Sequence, residues 1–241
     1  MRINLLNTST ASEHPNPARN ALAFDSQHPL VIGTHNRKKG IELAELLAPL
    51  GFSVVTLADL PNAIEVVEDG DTFAANAALK ATQQAQHLGR WVLADDSGLE
   101  VDALGGAPGV YSARYAIMGG SLSETAEFES RRDLSRWSID EANNRRLLAD
   151  LSKTPLEKRT ARYVCHVTVA DPTGTIRAES EHVCGGRILF EPSGANGFGY
   201  DPLFEVIEYH RTFGELGPHV KQALSHRSRA LRAIVGKLLA V

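Results

Sequence analysis

The sequence predicts a mixed α/β fold of α+β character, a β-sheet that combines parallel and antiparallel pairs and is flanked by helices. Three observations lead there. Strand, helix and strand patterns follow one another after residue 29; a turn signal, Asp171-Pro172-Thr173-Gly174, joins two alternating segments; and helical periodicity recurs around them. The chain of 241 residues is 43% hydrophobic and 22% charged, enough to bury a substantial core in one large domain or two small ones.

Residues 1–28 are rich in Ser, Thr, Asn and Pro without sustained periodicity, and are expected to be a poorly ordered N-terminal extension. Leu30-Val31-Ile32-Gly33 reads as an apolar strand. After a polar turn, Ile41, Ala44, Leu47 and Ala48 recur at helical spacing until Pro49 and Gly51 end the segment. A second strand is expected over 52–57. The acidic turn Glu68-Asp69-Gly70-Asp71 leads into an alanine-rich helix, capped by Asp71 or Thr72, with Phe73, Asn76 and Lys80 on one face. Trp91-Val92-Leu93-Ala94 reads as a buried strand that gives way, from Asp95, to a turn-rich segment ending at Arg114. Residues 117–138 are polar and mixed in charge, and carry no recognisable chemistry. An amphipathic helix over 140–151, a strand over 162–170 and one or two strands over 175–189 follow. A glycine-rich loop around Phe198 and a C-terminal helix with Ala230, Leu231, Ile234, Val235, Leu238 and Leu239 as its stripe complete the chain.

Composition narrows the function. No segment approaches the roughly 18 consecutive apolar residues of a membrane helix, and the first 29 residues show no apolar core of a secretory signal, so a cytoplasmic protein is expected. Cys165 and Cys184 are too few and too far apart for a disulfide framework or a zinc motif. A net charge of −4 argues against general nucleic-acid affinity and demands a locally positive site for any polyanionic ligand.

Such sites are visible. Arg37, Lys38 and Lys39 stand in the first turn of a helix that follows a strand, where the macrodipole disfavours cations and backbone N–H groups face outward. An anionic partner such as phosphate would explain them; side chains pointing into water would also do so. Lys80, beside Asn76, is a candidate phosphate contact. Adjacent Asp95 and Asp96 after a buried strand suggest a divalent cation, with Glu68 as a second ligand, or else a polar strand end accepting backbone N–H bonds. Glycines around Phe198 leave an aromatic face that could stack on a purine or simply pack in a loop. Ser225 can cap the last helix, leaving His226 and Arg227 at its start.

Six motifs then occur in order: Thr34-x-Asn36-x-x-Lys39; Asp71-Thr72-Phe73 with Asn76-Ala77 and Lys80-Ala81; Ala94-Asp95-Asp96-Ser97-Gly98-Leu99; the run from Gly105 to Arg114; Gly197-Phe198-Gly199-Tyr200-Asp201-Pro202; and Ser225-His226-Arg227. Together they resemble the inosine triphosphate pyrophosphatase family, the XTP/dITP diphosphatases, from Leu30 onward. The resemblance implies a single domain over 29–241 with a polar insertion near 117–138, an elongated mixed sheet in two lobes around a central cleft, and a homodimer. It implies a Mg2+-dependent hydrolase that converts ITP, dITP or XTP to the monophosphate and pyrophosphate, with no membrane or nucleic-acid partner. By position, Asp96 is the catalytic carboxylate with Asp95 beside it, and Glu68 and Asp96 are metal ligands. Thr34, His35, Asn36, Arg37, Lys38, Lys39 and Lys80 fall at the triphosphate, and Ser97 where substrate is touched. Phe198, Gly199, Tyr200, Asp201, Lys221, His226 and Arg227 fall around the base.

Two departures stand out. His35 replaces the family's usual glycine, which would strain a turn requiring positive φ, and Ala75 replaces a common glutamate. Two rivals are a pyrophosphatase of the septum-inhibitor type, with pyrimidine or modified-nucleotide preference, and a non-catalytic nucleotide sensor. The Phe198–Asp201 and His226-Arg227 motifs speak against the first, and the Asp95-Asp96 pair with Lys39 and Lys80 against the second.

Overall fold

A computed structural model of the chain describes residues 28–117 and 136–238. The extension expected over 1–28, the insertion expected near 117–138 and Leu239 fall wholly or largely outside them.

Seven strands among the described residues form one sheet in the order β2-β1-β3-β4-β5-β6-β7. β1 (Leu30–Ile32) pairs in parallel with both β2 (Val54–Thr56) and β3 (Val92–Val101). β3 then pairs antiparallel with β4 (Thr160–Ala170), β4 with β5 (Ile176–Ile188), and β5 with the short β6 (Phe204–Val206), which pairs with β7 (Arg211–Thr212). The mixed sheet flanked by helices agrees with the expected fold class. The region over 175–189 is one strand, and β6 and β7 are additional to the sequence reading. The turn between β4 and β5 is held by Asp171, whose carboxylate accepts from Thr173 N at 2.9 Å, Thr173 Oγ1 at 2.6 Å and Thr175 N at 3.1 Å.

The strand expected to stop near Ala94 continues through Asp95-Asp96-Ser97-Gly98. Pairing with β4 is unbroken from Val92↔Ala170 to Val101↔Ala161, so the ladder overrides the low strand propensity of these polar residues. On the opposite side, β1 meets β3 only at Val92 and Leu93, and Gly33 N donating to Leu93 O at 2.7 Å is the last link. Beyond it β3 has a free edge among the described residues as far as its isolated bridge from Glu100 to Pro108. The crevice beyond the C-terminal end of a parallel strand, here β1, is where α/β sheets place their ligands.

The helices cover both faces. α1 (Arg37–Leu47) buries Gly40, Leu43 and Leu47, while Ile41 points outward, contrary to the expected stripe. α2 (Phe73–Leu88) is capped by Thr72, which accepts from Ala75 N at 3.1 Å, and buries Phe73, Asn76 and Lys80 on one face as expected. α3 (Arg136–Asp150) includes the helix expected from residue 140. The expected C-terminal helix, starting at His226 after Ser225, is α5 (His226–Leu238), and a short α4 (Pro218–Leu224) precedes it. Ser225 Oγ accepts from Ser228 N at 3.2 Å and so caps α5.

Two cores lie along the same face of β3. Leu93 joins Leu43, Leu47, Cys165, Leu231 and Ile234 at one end; Leu99 and Val101 join Tyr163, Leu147, Phe204 and Phe213 at the other. A third cluster, with Val92, Ala94, Ala81 and Ala85, sits under α2 on the opposite face. Asp95 and Ser97, on that same face, fill the gap between the first two. Cys165 and Cys184 are buried free thiols, and burial pushes Cys184 up to about 11.

Candidate active site

The cleft at the free edge of β3 encloses about 1280 Å³, open mouth included. One wall is the turn after β1. There Thr34 Oγ1 accepts from Asn36 N at 3.2 Å, and Asn36 Oδ1 accepts from Lys38 N at 3.2 Å and Lys39 N at 3.4 Å, which caps α1. Thr34, His35, Asn36 and Lys39 line the cleft. Arg37 is exposed and Lys38 lies with its ammonium 5.5 Å from the Phe198 ring centre; neither lines it. His35 has no positive φ, so its replacement of glycine carries no such strain. Its Nε2 instead donates to Ile64 O at 3.0 Å, tying the turn to the segment that carries Glu68. Ala75 sits beside Gly70, where a Cβ on the glycine would lie 2.7 Å from the alanine methyl.

Alternation along β3 decides what the two aspartates do. Successive side chains point to opposite faces, so Asp96 faces α2 and Asp95 faces α1 and α5. On the α2 face, Lys80 Nζ bridges Glu68 Oε2 at 2.8 Å and Asp96 Oδ1 at 3.0 Å, while Asn76 Nδ2 donates to Asp96 Oδ2 at 3.4 Å. On the other face, Asp95 is fully buried. Its Oδ2 lies 3.3 Å from Lys39 Nζ and accepts from Arg227 Nε at 3.2 Å and Ser97 Oγ at 3.2 Å. Arg227 also donates to Ser97 Oγ at 2.9 Å and to Glu42. Asp96 and Ser97 line the cleft, and Asp95 does not.

The cations at the helix starts therefore have carboxylate partners within the chain. Arg227 pairs with Asp95 and Glu42, and Lys39 with Asp95, so no external anion is needed to explain either position. The titration pattern follows. Burial alone would raise the Asp95 carboxyl, but Lys39, Arg227 and Lys80 outweigh it and hold it well below the usual carboxylate range. For Asp96 burial prevails over Lys80 and Lys39 and pushes the carboxyl up. Lys80 resists desolvation because Asp96, Asp95 and Glu68 surround it, and its ammonium is held above the ordinary value. Burial, with Arg227, Lys221 and Lys39 nearby, pushes His226 far down, so its imidazole is neutral.

At the far end of the cleft, Phe198 N donates to Asp201 Oδ2 at 2.8 Å, Lys221 Nζ meets the same oxygen at 2.6 Å, and Tyr163 OH donates to Oδ1 at 3.3 Å. Lys221 Nζ stands 4.6 Å from the Phe198 ring centre and 3.3 Å from Glu42 Oε1. His226 stacks on Tyr163 with centroids 4.8 Å apart and planes 9° from parallel, and its buried Nδ1 has no hydrogen-bond partner. Phe198, Gly199, Tyr200, Asp201, Lys221, His226 and Arg227 all line the cleft. Gly197 and Gly199 have φ of 78° and 63°, a backbone that requires glycine. Arg114 lines the cleft with its guanidinium carbon 5.3 Å from the Tyr111 ring centre.

Glu42, Tyr163, Asp140 and Asn143 escaped the sequence reading. They reach the site from α1, β4 and α3 through tertiary contact, and no local motif marks them. For a metal, no group of three or more His, Cys, Asp or Glu converges among the described residues. Glu68 and Asp96 nonetheless hold one cation between them, the Lys80 ammonium, and offer only hard oxygen donors. Magnesium commonly takes one or two carboxylates and completes its octahedron with water and phosphate. The donor set fits that ion.

Comparison with known proteins gives the family. The family model described as the Ham1 family matches residues 30–237. The chain belongs to the Ham1 family. Family membership agrees with the resemblance read from the six motifs. The chain is 53% identical over 210 residues to a dITP/XTP pyrophosphatase of Rhodopirellula baltica, covering 87% of this chain and 92% of that one. It is 48% identical over 203 residues to a dITP/XTP pyrophosphatase of Desulforamulus reducens, covering 84% and 92%. Among solved structures, a HAM1 protein from Coxiella burnetii superposes with a TM-score of 0.73 at 32% identity, covering 89% of this chain and all of that one. A dITP/XTP pyrophosphatase from Mycobacterium abscessus gives 0.64 at 40% identity, covering 86% and 98%.

Proposed function

We propose that this Ham1-family enzyme hydrolyses the non-canonical purine nucleoside triphosphates dITP, XTP and ITP at the α–β phosphoanhydride, with Mg2+, releasing the monophosphate and pyrophosphate. The observation that carries the reading is the Lys80 ammonium between Glu68 and Asp96 at the free edge of β3, in a cleft that runs on to Phe198. The names of the relatives support the substrate class, and the two-carboxylate donor set supports the metal.

Phosphoanhydride cleavage asks for an oriented water and neutralised charge more than for covalent chemistry. Glu68 and Asp96 would hold magnesium, which supplies charge neutralisation at phosphate oxygens when bound. Asp96, half committed to Lys80 and with its carboxyl raised by burial, orients and deprotonates the attacking water. Lys39 and Lys80 meet the triphosphate. A charge pair at 4 Å is worth about 1 kcal/mol in water but about 4 kcal/mol at an effective dielectric of 20, so the partly desolvated cleft lets an acidic protein bind a tetra-anion. Asp95 acts at one remove: it fixes Lys39 and Arg227 from behind the strand.

Phe198 offers the stacking face for the purine. Three of Arg227's five N–H donors are taken by Asp95, Glu42 and Ser97, which leaves two N–H donors of Arg227 for the base. A site built around a 6-keto oxygen leaves polar groups unpaired against adenine, a mismatch that can give roughly 10⁴-fold discrimination. By the family resemblance, the working form is a cytoplasmic homodimer, checked by sedimentation.

Turnover of dITP, XTP, ITP, ATP and GTP with Mg2+ tests the substrate assignment. dITP and XTP should be used far faster than ATP; equal turnover of ATP and dITP would remove the base-selection argument.

A further inference from the structure

Helix α3 carries no residue of the six motifs, yet it grips the base end of the cleft. Asp140 Oδ2 accepts from Gly199 N at 3.0 Å, and Asn144 Nδ2 donates to Gly199 O at 3.0 Å. Residues four apart share a helix face, so one face of α3 takes both polar backbone groups of a single loop residue. Between them in sequence, buried Asn143 holds the facing wall: its Oδ1 accepts from Ala116 N at 2.7 Å and its Nδ2 donates to Ala113 O at 3.2 Å. Tyr200, next to Gly199, closes the ring through its hydroxyl, which donates to Ser112 O at 2.8 Å.

We propose that Asp140 and Asn144 are positioning residues for base recognition: together they clamp Gly199, and so fix the Phe198 ring at the angle from which it stacks on the purine. Gly199 needs this. At φ 63° with no atom within 4 Å of its Cβ position, it is free of side-chain packing, and the two α3 bonds define where its peptide sits. Among the described residues, the triphosphate end, on α1, α2 and β3, receives no hydrogen bond from α3. Loss of the clamp therefore weakens binding of the base without altering the groups that act on the phosphates. The inference rests on the proposed reading of Phe198 to Asp201 as the base subsite.

Three isosteric or near-isosteric variants test it. Asn144→Leu removes the donor to Gly199 O, and Asn144→Asp places an acceptor against that carbonyl. Asp140→Asn keeps an oxygen that accepts from Gly199 N while removing a charge. With dITP, each Asn144 variant should raise KM about tenfold, the scale of one buried hydrogen bond with an orphaned partner, while kcat stays within about twofold. Asp140→Asn should keep the wild-type KM. Unchanged KM in folded Asn144→Leu, or a fall in kcat at constant KM, overturns the clamp. If Asn144→Asp raises KM while Asp140→Asn lowers it, charge on the substrate explains both and the clamp is likewise overturned. Where one Asn144 variant does not fold, the other decides. Wild-type protein that releases no pyrophosphate from dITP would instead refute the proposed function, independently of the clamp.

Discussion

Asp95 and Asp96 are neighbours in sequence but belong to different charge networks, because a strand turns consecutive side chains to opposite faces. Asp96 shares Lys80 with Glu68; Asp95 meets Lys39 and shares Arg227 with Glu42 and Ser97. Their direct ion pairs are thus separate, while Lys39 and Lys80 each act on both carboxyls. Asp96→Asn should lower kcat by at least about 10²-fold, the scale of lost general-base catalysis, while thermal melting stays close to wild type. Near-normal turnover in that variant would take the base role from Asp96. Arg227 is different, because it stabilises the fold as well as the site. Arg227→Met leaves the buried Asp95 with Lys39 as its remaining cation, and removing one partner from a buried charge pair typically costs about 3–5 kcal/mol. Arg227→Lys should recover little, since an ammonium cannot reach Asp95, Glu42 and Ser97 together. Urea denaturation of both variants measures this, and a loss confined to activity would contradict it.

At the scale of elements, the cleft exists because β1 stops and β3 does not. Gly98 keeps the far wall close: a Cβ there would lie 2.5 Å from Gly109 O and 2.5 Å from Ser112 Oγ. Gly98→Ala must push the 109–117 segment away from β3, at a cost of about 1–3 kcal/mol for overpacking, read as a lower melting temperature. The β4–β5 turn gives a second, independent test. Hydrogen bonds from Thr173, together with Arg177, hold Asp171 down at about 2, against an ordinary value of 3.8. A carboxyl depressed in the folded state contributes stability that is complete above its unfolded value and is lost as pH falls through the folded one. Wild-type stability should therefore drop more steeply than that of Asp171→Asn between about pH 5 and about pH 2; equal slopes would contradict the assignment. Much of this layer was legible. α2 and its Thr72 cap, α1 after its polar turn and the Asp171 hairpin all follow from local chemistry. β3 running on past Ala94 was not, because ten paired residues on β4 outweigh what Asp95 to Gly98 prefer alone. Nor were β6 and β7, too short to show a period, or the seven-residue α4 before Ser225.

For the molecule as a whole, the site is a meeting of segments far apart in sequence. Its residue types were readable where a strand, a turn and a helix start impose them: Thr34 to Lys39, Asp95 to Ser97, Phe198 to Asp201, His226-Arg227. The pairings were not, since Glu42 and Arg227 are 185 residues apart and Lys80 finds Glu68 only when the 60–70 segment folds over α2. The helix-start cations suggested an external anion, but for Lys39 and Arg227 the negative charge that meets them is the chain's own. Among the described residues no helix is long and apolar enough to cross a membrane. A chain of net charge −4 gathers Lys39, Lys80, Lys221 and Arg227 around one cleft, each paired with a carboxylate of the chain. The most direct test is to incubate the protein with dITP and Mg2+ and identify the phosphorus products. Cleavage between the α and β phosphates gives dIMP and pyrophosphate in equal amounts; orthophosphate with dIDP would contradict it.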